Sequence, residues 1–231
     1  MTVIKLLLIR HAQSLGNVEG RMEGWTATGL TPKGQCQAFR LGQRLAQEGW
    51  QPTRIYCSPL QRATETLSEV LRGFEAEHQS PSQSPGLESI IRLRDDLKEY
   101  HNGILAGLTW SEAKIRYPDL CQDLEQSLDW RPIPQAETLQ AGRQRAQRFL
   151  VELLTHHQND DQIWVISHHW LMQQLIAALM GGDRTWGFSI AHTGLFEFWF
   201  DLSRWHQSGE NRFNTELWQL KRFNDCEHSN S

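Results

Sequence analysis

The chain has 231 residues, 39% of them hydrophobic and 22% charged, with a formal net charge of -4. That suits one sizeable α/β domain, or a domain carrying an insertion. The acidic balance gives no general attraction to nucleic acid or to an anionic membrane, so neither partner is expected and an anionic ligand would need a local cluster of cations.

The four cysteines, Cys36, Cys57, Cys121 and Cys226, are far apart with no CxxC pair. No disulfide framework or metal finger is expected, and a reducing, cytoplasmic setting is. No stretch approaches the roughly 18 apolar residues of a membrane helix. The apolar run at residues 3–9 is too short for the core of a secretory signal. The ten tryptophans read mostly as core or pocket wall, because no basic stripe accompanies them.

Residues 3–9 form a nearly continuous apolar run, as in a strand buried on both faces of a parallel sheet. Thr31-Pro32 opens a helix, with Thr31 as N-cap and Pro32 at the first helical position. Ala38, Leu41, Leu45 and Ala46 give it an apolar stripe, and Gly49 stops it. Residues 54–57 read as a second strand. Ser58-Pro59 starts another helix, whose apolar face is Ala63, Leu67, Val70, Leu71 and Phe74. Residues 79–86 are a loop by composition, and a weak strand follows near 89–93. Residues 99–137, with Pro118, Pro132 and Pro134, read as short helical pieces inserted over something else. Residues 138–157 form an amphipathic helix, 162–167 a strand and 170–180 a helix ending at Gly181-Gly182. Late strands are expected near 194–200 and 216–223. This alternation predicts a three-layer α/β fold: an open, mainly parallel sheet with helices on both faces and a small lid-like insertion. Such sheets bind ligands at the carboxyl ends of their strands.

Arg10-His11 follows the first strand, Ser167-His168 follows a later one, and Arg62 sits on the first turn of the helix after the second strand. The three could converge on one crevice. Phosphoryl transfer needs cationic donors around the non-bridging oxygens, an in-line nucleophile and an acid for the leaving group. Arginine binds phosphate through parallel hydrogen bonds. A neutral imidazole, with its other ring nitrogen donating to an acceptor, is a competent covalent nucleophile.

Leu8-Ile-Arg-His-Ala-Gln-Ser14 with Asn17, Glu19-Gly-Arg21 and Gly24-Trp25 resembles the opening of the histidine phosphatase superfamily, the phosphoglycerate-mutase-like proteins. Leu30-Thr-Pro-Lys-Gly34, Cys57-Ser-Pro-Leu-Gln-Arg62-Ala-Thr-Glu-Thr66, Leu97-Lys-Glu99 with Gly103 and Gly107-Leu-Thr109, and Val165-Ile-Ser-His168 are similar to its later segments, in order. The resemblance implies that His11 is the phosphoryl acceptor and that Arg10, Arg62 and His168 hold the phosphoryl oxygens. It also implies that Asn17 is a further donor, that Gly24 lies against substrate, and that Glu99 acts as general acid and then base. No metal or other cofactor is expected. The pattern is departed from at three places: Ala12 where Gly is usual, Gln13 where Glu is frequent, and His169-Trp170 where Gly usually follows the second histidine. Glu23 stands where the family's mutases carry a small hydroxyl residue. Facing inward, it would repel a second anionic group or pair with a substrate amine. His101 and His169 are rival contacts for a ligand, while His156 and His157 read as a surface pair at a helix end.

The resemblance favours a metal-independent phosphatase acting on a small phosphorylated metabolite. A phosphoglycerate mutase is the alternative, less favoured because residues 99–137 carry only Lys114, Arg116 and Arg131. A non-catalytic phospholigand-binding protein is a further alternative. A homodimer is a possible assembly, with residues 195–200 as either an interface or a core strand.

Overall fold

In the computed structural model, which describes residues 2–77, 86–207 and 209–229, the first apolar run is strand β1 (Ile4–Arg10). Of the Ser/Pro/Gln-rich stretch read as a loop, all but Gly86 lies outside the described residues. The strands β2 (Arg54–Cys57), β3 (Ile91–Leu93), β4 (Gln162–Ser167), β5 (Leu195–Phe200) and β6 (Trp218–Asp225) complete one six-stranded sheet of order β3-β2-β4-β1-β5-β6. The four strands from β3 to β1 run parallel, and β5 and β6 are antiparallel additions at one side. The sheet is therefore mixed but mainly parallel.

The helices are α1 (Leu15–Val18), α2 (Pro32–Gln47), α3 (Gln61–Glu77), α4 (Trp110–Arg116), α5 (Pro118–Gln126), α6 (Leu139–His156) and α7 (His169–Leu179). The N-caps act through side chains: Thr31 Oγ1 accepts from Gly34 N, and Thr138 Oγ1 accepts from Ala141 N. Period-two alternation along the strands splits the core in two. On one face Leu6, Leu8, Val165 and Phe196 pack with Phe149 and Leu153 of α6 and Leu171 and Leu175 of α7. On the other, Leu7, Ile9, Trp164 and Ile166 pack with Leu41 and Leu45 of α2 and Leu67 and Val70 of α3. Residues 195–200 are thus a core strand, paired with β1 on one side and β6 on the other.

α2 and α3 cross closely because each offers a glycine to the other. A Cβ at Gly42 would lie 2.0 Å from the Val70 carbonyl oxygen, and one at Gly73 would lie 2.0 Å from that of Phe39. Within 99–137, α4, α5 and a short 3-10 turn (Gly103–Leu105) build a small core of their own around Leu105, Ala113 and Cys121. This segment is stitched to the loop after β1 by Met22 N donating to Leu108 O and Gly107 N donating to Met22 O.

Some boundaries differ from the sequence reading. α3 starts at Gln61, two residues beyond Pro59, and α7 starts at His169. His157 is not a surface residue: its ring lies between Tyr56 Oη (3.0 Å) and Asp161 Oδ2 (3.0 Å), with the side chain 7% exposed. Among the described residues, no helix is long and apolar enough to cross a membrane.

Candidate active site

Three parallel strands deliver their carboxyl ends to one place. β1 ends at Arg10, β2 leads through Ser58 to Arg62 on the first turn of α3, and β4 ends at Ser167 before His168, the N-cap of α7. A cavity of about 240 Å³ opens there. Its lining includes Arg10, His11, Asn17, Arg21, Glu23, Gly24, Arg62, Glu99, Tyr100, Asn102 and Trp170.

His11 is 2% exposed yet lines this cavity. Its Nδ1 lies 2.8 Å from the Ala12 carbonyl oxygen. A carbonyl only accepts, so Nδ1 carries the hydrogen and Nε2 keeps its lone pair. Burial, together with the Arg62 and Arg10 guanidinium groups, holds the imidazole well below its ordinary pKa, so it stays neutral. The backbone beneath it is fixed by His11 N donating to Ser167 O and by Ala12 N donating to Thr66 Oγ1 of α3.

The two arginines are held by backbone carbonyls, leaving donors over. Arg10 Nη1 donates to Ile190 O (2.5 Å). Arg62 donates from Nη2 to Gly24 O (2.7 Å) and from Nη1 to Thr26 O (3.3 Å), while its Nε lies 3.7 Å from Glu23 Oε2. Gly24 has φ +50, and a Cβ there would press on the Tyr100 and Asn102 backbone at 3.2 Å. Its role is to let the loop approach while its carbonyl holds Arg62. The His168 ring stands 5.0 Å from that of His11, with Nε2 2.7 Å from Ser58 Oγ. Burial and the Arg62 charge also keep it neutral, well below the ordinary histidine value. Arg10 Nε, Arg62 Nε and His168 Nδ1 are buried without a hydrogen-bond partner among the described residues. Unmet buried polar groups are costly, and an anion's oxygens would satisfy the two guanidinium N–H groups.

Glu99 comes from the segment after β3. Its carboxylate accepts from the backbone N–H groups of Tyr100 (2.9 Å), Trp170 (3.2 Å) and Leu171 (3.3 Å), so it also caps the start of α7. The segment is gripped by Arg145 of α6, which donates to the carbonyls of Asp96, Lys98 and Glu99 and to Glu137.

Glu23 does face inward, but its carboxylate is taken. It accepts from Ser14 Oγ (2.9 Å to each oxygen), from Asn17 Nδ2 (2.8 Å) and from Thr28 Oγ1. With four hydrogen bonds and the Arg62 ion pair, it is a strut of the pocket floor and not a free partner for a substrate amine. Asn17 gives one N–H to Glu23 and keeps the other. Its Oδ1 accepts from Ser14 N (3.2 Å) and lies 2.8 Å from His192 Nε2. Because Oδ1 is an acceptor, His192 Nε2 carries its hydrogen.

His192 was not singled out in the sequence. It sits in the loop before β5, 6.2 Å ring to ring from His11. Burial and the Arg10 charge lower its pKa to about 4. No spacing signal marks it; only the folded loop brings it to Asn17. The other rival histidines are spent elsewhere. His101 packs edge-on against Trp25 at 4.7 Å and accepts from Gly103 N, and His169 Nε2 reaches Phe188 O at 3.2 Å. Among the described residues, no group of three or more His, Cys, Asp or Glu side chains is placed to hold a metal ion.

The chain is similar to known proteins in both sequence and fold. A 2,3-bisphosphoglycerate-dependent phosphoglycerate mutase of Porphyromonas gingivalis is 37% identical over 127 residues, 55% of this chain and 45% of that protein. The chain thus spans about half the length of the curated relatives it matches. The alpha-ribazole phosphatase from Shigella flexneri superposes with a TM-score of 0.70 at 26% identity, covering 96% of both chains. The mycobacterial glucosyl-3-phosphoglycerate phosphatase superposes at 0.68 and 24% identity, covering 95% of this chain and 98% of that one. Residues 6–211 match the histidine phosphatase superfamily (branch 1), and with that match over most of its length the chain belongs to that family, whose relatives here include both phosphatases and mutases.

Proposed function

We propose that the protein is a metal-independent phosphatase that hydrolyses a small phosphomonoester through a phosphohistidine on His11. The observation that carries this is the His11 ring: its Nδ1 is tied to the Ala12 carbonyl, which leaves Nε2 its lone pair, and it lines one cavity with Arg10 and Arg62, whose Nε groups have no hydrogen-bond partner among the described residues. In the first step His11 Nε2 attacks phosphorus and the ester P–O bond breaks. The departing oxygen takes a proton from Glu99, whose carboxyl lines the same cavity. In the second step water gives that proton position back to Glu99 as its oxygen attacks phosphorus, and the P–N bond breaks. The guanidinium groups stabilise the equatorial oxygens in both steps. Residues 99–137 close the cavity's side through Glu99, Tyr100 and Asn102.

Hydrolysis is favoured over mutase chemistry by where the spare cations go. A mutase must hold a second anionic group. Lys114 instead pairs with Glu125 and Arg131 with Asp123, and Arg116 stacks on Tyr117. Arg21, at the cavity rim, is occupied by Glu19 and Glu112. Glu23 adds an acidic side chain to the lining.

The test is a screen of phosphorylated metabolites with chelator present, in wild type and His11→Ala. Release of inorganic phosphate and an acid-labile, base-stable phosphoprotein are expected in wild type only. Glu99→Gln keeps an acceptor for the α7 amides but has no proton to cycle, so it should fold normally and lose about 10²–10⁴ in turnover. Activity surviving His11→Ala unchanged, or conversion of 3-phosphoglycerate to its 2-isomer outpacing phosphate release, would overturn the proposal.

A further inference from the structure

Beside the crevice lies a second cavity of about 540 Å³, whose lining includes Trp130, Trp170, Trp186, Arg143, Gln173 and Asp183. It adjoins the first, because Trp170 lines both. Tyr100, which lines the crevice, packs tilted on Trp170 at 5.1 Å and edge-on to Trp130 at 6.0 Å. Ring contacts therefore link Tyr100 of the crevice to Trp170 and Trp130 of the second cavity.

The indoles are presented, not merely left over. Trp130 is 51% exposed and Trp186 75%, although tryptophan has more apolar area to hide than any other side chain. Trp170 lies against the backbone of α6 because position 142 is glycine; a Cβ there would sit 2.4 Å from the indole Cη2. Most of the polar groups around them are already committed, Gln140 and Asp183 excepted. Arg143 donates to Gly182 O (2.6 Å) and Thr185 Oγ1 (3.2 Å), Gln173 Nε2 donates to Phe188 O, and Gln174 Oε1 accepts from Thr185. A polyhydroxylated ligand needs many free donors and acceptors, whereas a flat ring needs faces and edges to stack on.

The geometry points to a subsite for a planar aromatic or heteroaromatic ring carried by the alcohol portion of the substrate, held among Trp130, Trp170 and Trp186 while the phosphoryl group sits at His11. This rests on the phosphatase reading of the crevice and narrows it to phosphomonoesters of ring-bearing alcohols.

The experiment measures binding apart from turnover. Methylphosphonate and a series of naphthyl-alkylphosphonates with linkers of one to five carbons are titrated by calorimetry into wild type, Trp186→Ala, Trp130→Ala and Trp186→Phe. One linker length should bind wild type at least tenfold tighter than methylphosphonate. That ratio should fall at least fivefold in each alanine variant and recover in part in Trp186→Phe, where a ring face returns. A ratio near one at every linker length, or a ratio unchanged in both alanine variants, would overturn the subsite. The two readings fail separately. Naphthyl preference in a protein that turns over no phosphomonoester keeps the subsite and removes the hydrolase, while turnover without any ring preference does the reverse.

Discussion

Replacing Gly42 by alanine sets two opposing effects against each other. In a helix interior alanine is favoured over glycine by about 1 kcal/mol, so local propensity alone predicts stabilisation. The new Cβ, however, would sit 2.0 Å from the Val70 carbonyl oxygen and 2.7 Å from Phe74 N, both backbone atoms of α3. A carbon rests no closer than about 3.3 Å to such an oxygen, so the helices must part by more than about 1 Å at their crossing. Overpacking of this kind costs about 1–3 kcal/mol and more where no side chain can swing away. The net expectation is a loss of about 2 kcal/mol, roughly thirtyfold in the folding equilibrium. Urea titration followed by tryptophan fluorescence reads it, with Gly187→Ala, which meets nothing within 4 Å, as the neutral control. Gly73→Ala should behave alike, and the double variant should lose less than the sum, since one opening serves both methyl groups. A Gly42→Ala midpoint equal to or above wild type would refute the close crossing.

Stability should fall as pH drops from about 6.5 towards 5. His11 and His168 are kept neutral in the fold, below their ordinary 6.5, so the unfolded chain binds more protons there and gains relative to the native state as pH falls. The ceiling is about 2 kcal/mol per histidine at pH 5, from about 1.4 kcal/mol per pH unit. Urea midpoints at pH 7.5 and 5.0 that coincide would contradict it, and inorganic phosphate should soften the loss. Glu23→Ala should reduce turnover of phosphoserine and 3-phosphoglycerate by the same factor and cost about 3 kcal/mol in stability, because it strands Arg62 and three donors; a loss confined to phosphoserine would mean that the carboxylate meets the amine after all. His192→Ala frees the Asn17 carbonyl and should lower kcat/KM about tenfold, the worth of one well-placed hydrogen bond; steady-state kinetics indistinguishable from wild type would remove His192 from the site.

The sheet was legible because its strands are short, mostly apolar and bounded by polar or turn residues, and the helix after the first strand because Thr31-Pro32 opens it with side chains of the right type. The convergence of Arg10, His11, Arg62 and His168 was legible for the same reason: each sits one to five residues past a strand that the pattern reveals, and a parallel sheet gathers such positions at one edge. Residues fixed by tertiary partners were not. Glu23 reads as a free acidic side chain until Ser14, Asn17 and Thr28 are seen to close around it. His157 looks like a frayed helix end until Tyr56 and Asp161 enclose it. His192 belongs to a loop with no periodicity to read, and the apposition of Gly42 with Gly73 depends on where two helices cross.

Arg145 carries a consequence of another kind. Buried on α6 and away from the cavity lining, it gathers the carbonyls of Asp96, Lys98 and Glu99 into one guanidinium fork. The placement of the Glu99 carboxyl thus depends on a cation outside the cavity lining, anchored to a helix that packs in the same core as Leu97. Damage at this point would leave spectroscopic signs of folding intact while the carboxyl drifts out of the cavity, a loss whose source lies one layer behind the lining.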